Sequence, residues 1–135
     1  MLAKTIEYTD YNGTLRKETF YFNLNKAELA KMEVGTTGGY AEMVKKLAET
    51  QDGPALLKIF DELIIKAYGQ KTADGRGFRK DPEMAKEFTY TEAYSELFMQ
   101  LMSNPEEFAA FVNGIIPQDV LKQVQEQEGT TLTVL

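Results

Sequence analysis

The sequence predicts an α+β domain, mostly helical, that opens with a β-hairpin. Three observations predict it. Two β-prone stretches flank Asn12-Gly13, apolar residues recur at helical spacing between Leu56 and Ile116, and 135 residues suit a single domain.

The hairpin takes residues 1–23. Residues 2–11 are rich in Thr, Tyr and Ile, and 14–22 in Thr, Tyr and Phe. Asn12-Gly13 between them is a strong turn signal, because a type I′ turn needs φ > 0 at both central positions. Two registers stay open. A two-residue loop pairs Tyr11 with Thr14 and sets Glu7 against Glu18, an unfavourable like-charge pair; a bulged loop shifted by one sets Glu7 against Lys17.

A helical region is expected over 25–128. Asn25 can cap its first helix with Glu28 reaching back, Leu24 and Leu29 have the spacing of a hydrophobic staple, and Gly35 suits the stop. GTTGGY (35–40) reads as a joint, and 40–51 as a second helix with Met43, Val44 and Leu47 on one face. The main helix runs from Pro54 to Gly69, its stripe formed by Leu56, Ile59, Phe60, Leu63, Ile64 and Ala67 and widened by Leu57 and Ile65. Residues 70–81 read as a loop, and Pro82 starts a short helix through Met84 and Phe88. Thr89, with Glu92 three residues on, reads as the capping box of TEAYSELFMQLM (91–102). Asn104 caps another helix, with Pro105 at its first position and Glu107 at its third, reaching Gly114. Pro117 admits a last polar helix, and 129–135 read as a flexible tail.

Composition narrows the function classes. The chain has no cysteine, so it has no disulfide, thiolate nucleophile or cysteine-held metal. It has no histidine either, which removes the commonest general base, metal ligand and pH switch. A net charge of −6 disfavours general nucleic-acid binding. The first ten residues lack the apolar core of a signal peptide, and the longest strongly apolar run, Leu63-Ile64-Ile65, is too short for a bilayer. A cytoplasmic protein with no membrane contact is expected.

No chemistry-bearing motif survives a close reading. GTTGGY lacks the Lys-Ser/Thr of a phosphate loop and follows no predicted strand. GRGFRK lacks the third glycine of a dinucleotide fingerprint, and DGRGFRKD lacks the start of a calcium loop. The carboxylate pairs Glu83/Glu87 and Glu92/Glu96 have no apolar cradle and read as solvated helix faces. No catalytic residue, cofactor or metal is expected.

Two features point instead to protein partners. Tyr94, Leu97, Phe98, Leu101 and Met102 form one apolar face, and Phe108, Phe111, Val112, Ile115 and Ile116 repeat the pattern in the next helix. Such a face either packs on the main helix or stays open; flexible Met suits open, adaptable surfaces, and Met99 lies off the stripe. The second feature is the 71–80 segment, the one basic spot in an acidic chain, with Lys71, Arg76, Arg79 and Lys80 against Asp74; it is either a solvated loop or a contact for an acidic partner surface.

The second half resembles the tail assembly chaperones of long-tailed bacteriophages, especially phages of Gram-positive hosts. The resemblance lies in AYGxKxxDGxxFxK (67–80), FxxTxAYSELFMxL (88–101) and FxxGIIP (111–117), in that order, and spans roughly 57–117. It implies a small acidic non-enzyme that binds the tape measure protein, keeps it soluble, helps recruit tail tube subunits and often self-associates. It also implies work in the infected cell's cytoplasm, absence from the mature virion, and often a longer frameshifted form of the same protein. The expected partner contacts are Tyr94, Leu97, Phe98, Leu101, Phe108, Phe111, Ile115 and Ile116, with Lys71, Arg76, Arg79 and Lys80 as a second set. The alternatives are a structural virion component, such as a tail completion or connector subunit, and a small carboxylate-dependent enzyme.

Overall fold

A computed structural model describes residues 1–35 and 53–117. Strands β1 (Leu2–Thr9) and β2 (Leu15–Phe22) form the expected antiparallel hairpin. Of the two registers, the structure takes the one that pairs Glu7 with Lys17. The loop is Tyr11-Asn12-Gly13, closed by Asp10 N–H to Thr14 O at 2.9 Å and Gly13 N–H to Asp10 O at 3.0 Å. Gly13 alone takes a positive φ there, +79°, so the turn is a three-residue loop rather than type I′. Asp10 selects it: its carboxylate accepts from Asn12 N–H, Thr14 N–H and the Arg16 guanidinium.

Five helices follow among the described residues: α1 (Lys26–Gly35), α2 (Gly53–Ala67), α3 (Pro82–Thr89), α4 (Glu92–Ser103) and α5 (Pro105–Ile115). The Asn25–Glu28 capping box forms reciprocally, at 2.8 and 3.0 Å, and Leu24 and Leu29 are both buried beside it. Asn104 caps α5 by accepting from Glu106 N–H and Glu107 N–H. The cap of α4 is Thr91, whose Oγ1 accepts from Tyr94 N–H at 3.2 Å; the expected cap, Thr89, donates its hydroxyl back to Lys86 O in α3. The predicted joint and helix at 36–51, the last helix and the tail lie outside the described residues.

The expected loop over 70–81 is a second hairpin. The main helix stops at Ala67, and the chain turns at once into β3 (Tyr68–Lys71) and β4 (Phe78–Arg79). Gly69 is therefore a strand residue, and the reason it is glycine is steric. A Cβ there would sit 2.5 Å from the Phe78 ring and 2.7 Å from the Arg79 carbonyl oxygen. The four strands form one sheet in the order β1-β2-β3-β4, each pair antiparallel.

One core joins sheet and helices. Phe22 is fully buried, with Tyr68, Phe88 and Phe111 around it at 6.0, 6.0 and 5.3 Å between ring centroids. Tyr68 stacks on Phe88 at 4.4 Å, and Phe60 of α2 meets Phe108 of α5 at 4.2 Å. The backbone closes the same junction: Asn23 N–H donates to Ala67 O at 2.8 Å and Leu24 N–H to Ile115 O at 2.7 Å.

Candidate protein-binding surface

The apolar residues expected to contact a partner divide sharply by burial. Leu97, Leu101, Phe108, Phe111, Ile115 and Ile116 are all buried in the core. Tyr94 and Phe98 are half-buried and packed against it. The amphipathic stripe of 94–116 is closed by intramolecular packing, because α4 and α5 lay it against β1, β2 and α2. Those six side chains form a core face in this fold. The large apolar side chains that α4 leaves in solvent are Met99, 51% exposed, and Met102 at 40%, with Tyr90 just before the helix.

Met99 lines a groove of 620 Å³ between α4 and the hairpin. Thr5, Glu7 and Lys17 form one wall, and Glu96, Gln100 and Ser103 complete the other. The Glu7–Lys17 pair, 3.7 Å apart and largely exposed, sits at its mouth.

The basic set is likewise divided. Lys80 is a structural pin: its ammonium donates to Glu28 Oε2 and to Lys66 O, both at 2.7 Å. Lys71 lies over the Tyr21 ring, 4.6 Å from its centroid. The guanidinium groups of Arg76 and Arg79 are exposed and meet no acidic partner among the described residues. The 72–77 turn that carries Arg76 is built by Asp74, which accepts from the Thr72 hydroxyl and Arg76 N–H; these bonds hold its carboxyl below the usual range.

The residues that carry the family resemblance are mostly folding residues. Ala67, Tyr68 and Gly69 turn α2 into β3, Phe78 covers Gly69, and Lys80 ties the second hairpin to α1. Phe88, Ala93, Leu97 and Leu101 fill the core, Thr91 caps α4, and Gly114 meets the Leu2 side chain. Met99 is the exposed apolar residue among them. Its place off the apolar stripe of 94–116 is the signal in the sequence that it faces solvent.

Among the described residues no cluster of His, Cys, Asp or Glu could hold a metal, and no helix is long and apolar enough to cross a membrane. Among the described residues, the hairpin-led α+β fold presents a groove lined mostly by polar side chains, with Ile6 and Met99 as its apolar members, beside a charged pair, a surface suited to docking another protein. The family model described as phage tail assembly chaperone matches residues 1–134, and the chain belongs to that family. The match extends through the N-terminal hairpin, beyond the 57–117 span in which the resemblance was legible. No curated protein and no solved structure matches the chain.

Proposed function

We propose that this chaperone binds the tape measure protein during tail assembly, keeps it soluble and helps recruit tail tube subunits, without performing chemistry of its own. On this reading it works in the cytoplasm of the infected bacterium and stays out of the finished virion. The observation that carries the proposal is Met99. It is apolar, half exposed, and set in the 620 Å³ groove between α4 and β1. A holdase needs surfaces that accept varied apolar segments and release them, and a thioether on three rotatable bonds adapts to different shapes. Tyr94 and Phe98, half-buried on the stripe side of α4, are a separate candidate contact, and Lys71, Arg76 and Arg79 offer another for acidic surfaces.

The test is co-expression of the tape measure gene with no chaperone, with this chain, and with its Met99→Asp variant. Soluble tape measure protein that co-purifies with the intact chain, and is lost with a folded variant, is the expected result. Unchanged solubility and no co-purification would overturn the reading.

A further inference from the structure

The sheet has an open edge beside its second hairpin. Among the described residues, strand β2 pairs with β3 only at Tyr21–Gly69 and Phe22–Tyr68, so the stretch from Leu15 to Phe20 pairs with β1 alone. That leaves about 20 Å of strand edge without a neighbouring strand among the described residues. The antiparallel alternation tells which groups face outward. Asn23 N–H bonds on the β3 side and Thr14 O on the β1 side, so Leu15, Lys17 and Thr19 turn their N–H and C=O groups toward the open side.

A cavity of 460 Å³ lies along this edge. Thr19, Phe20 and Tyr21 line one side, and Gln70, Lys71 and Ala73 the other. Its lining carries one base, Lys71, and one acid, Glu18. Lys71 stands in the wall opposite β2, and the exposed Arg76 follows at the rim of the 72–77 turn; Lys17, on the open strand and 70% exposed, lies 3.7 Å from Glu7. Glu18, the acidic residue of the lining, is engaged by the Tyr8 hydroxyl and lies 4.0 Å from Arg16.

We propose that this cleft binds an extended, acidic segment of another polypeptide, which adds to β2 as a strand. Backbone bonds to Leu15, Lys17 and Thr19 supply the affinity, and carboxylates facing Lys71 and Arg76 supply the selectivity. Exposed edge strands are guarded by lysine against indiscriminate pairing, and here Lys71 and Arg76 leave acidic strands as the ones admitted. The site is distinct from the Met99 groove and stands whether or not that groove holds the tape measure protein.

The test uses the full chain and three synthetic octapeptides: alternating Glu-Val, the same with backbone N-methylation at alternate residues, and alternating Lys-Val. Amide chemical shifts and a binding isotherm are recorded for each. The Glu-Val peptide should shift the Lys17 and Thr19 amides, and N-methylation should weaken its binding by about tenfold or more. The Lys-Val peptide should not bind, and Lys71→Glu with Arg76→Glu, both at exposed positions, should reverse the preference. Equal binding of the methylated peptide, equal binding of Lys-Val, or shifts confined to α4 would overturn the proposal. So would a free protein whose edge amides are already covered by a second copy, seen as concentration-dependent shifts. Occupation by the chain's own 128–135 segment, seen when its removal uncovers them, would do the same.

Discussion

Lys80 donates to Glu28 at 2.7 Å while its ammonium also meets the Lys66 carbonyl oxygen at 2.7 Å. One side chain thus joins the start of α1, the end of α2 and the second hairpin. Glu28 also closes the capping box on Asn25 N–H, so the pin orients a group that already has a local role. Both side chains are less than a third exposed, and the pair is partly shielded from solvent. Lys80→Met should lower stability by about 1–2 kcal/mol, since hydrogen bonds to charged groups exceed neutral ones. A double-mutant cycle with Glu28→Gln, read by urea unfolding, should give a favourable coupling energy; zero coupling would reduce the contact to an exposed ion pair.

The first hairpin should lose order in acid. Arg16 beside the Asp10 carboxylate, with the Thr14 and Asn12 amides, holds its pKa below the ordinary 3.8. A depressed folded value means stability that is fully present above 3.8 and is lost as pH falls through the folded value. Amide exchange at Asn12 and Thr14 should therefore accelerate in that acid window, and Asp10→Asn should flatten the dependence. An unchanged profile in the variant would remove Asp10 as the cause.

The parts of the fold that were legible in the sequence are those set by local chemistry. The Asn25–Glu28 box, the Asn104 cap and the stripe of α2 follow from neighbours three or four residues apart, and the first hairpin from its turn. Its register was not, because the choice depends on where one carboxylate folds back: Asp10 takes three donors and draws the loop out by a residue. The second hairpin escaped because its strands have four and two residues, too few for alternation to register, and Gly69 read as a helix stop. The cue within it was Asp74-Gly75 between Tyr68 and Phe78. As for the site, helical spacing identified the apolar face of 94–116 but not its direction. That is decided by sheet strands some ninety residues away in the chain, Phe22 against Phe111 above all.

Gly69→Ala should destabilise the protein by about 1–3 kcal/mol, the usual cost of forcing a methyl into a filled space. The obstacle includes the Arg79 carbonyl oxygen at 2.7 Å, which is backbone and cannot rotate away. Pairing the change with Phe78→Ala removes the ring contact only, so it should not restore the loss. Thermal unfolding of both variants checks this; a neutral Gly69→Ala would mean that β3 and β4 separate easily.

Core and partner roles on α4 should separate cleanly between Leu97 and Met99. Leu97 is fully buried, and Leu97→Ala should cost about 2–5 kcal/mol through lost burial and the cavity left behind. Met99 is 51% exposed, so Met99→Asp should change stability by less than about 0.5 kcal/mol. Binding should respond in the opposite order. At a temperature where both variants remain folded, Leu97→Ala should retain the tape measure protein, because its side chain never reaches the surface. Met99→Asp should lose it, because it replaces the exposed apolar side chain of the groove with a carboxylate that must be desolvated against an apolar partner. Pull-down with each variant, alongside circular dichroism to confirm folding, gives the comparison. If Met99→Asp binds like the unmodified chain, the groove between α4 and β1 is not the holdase surface, and the basic rim of the second hairpin becomes the next place to look.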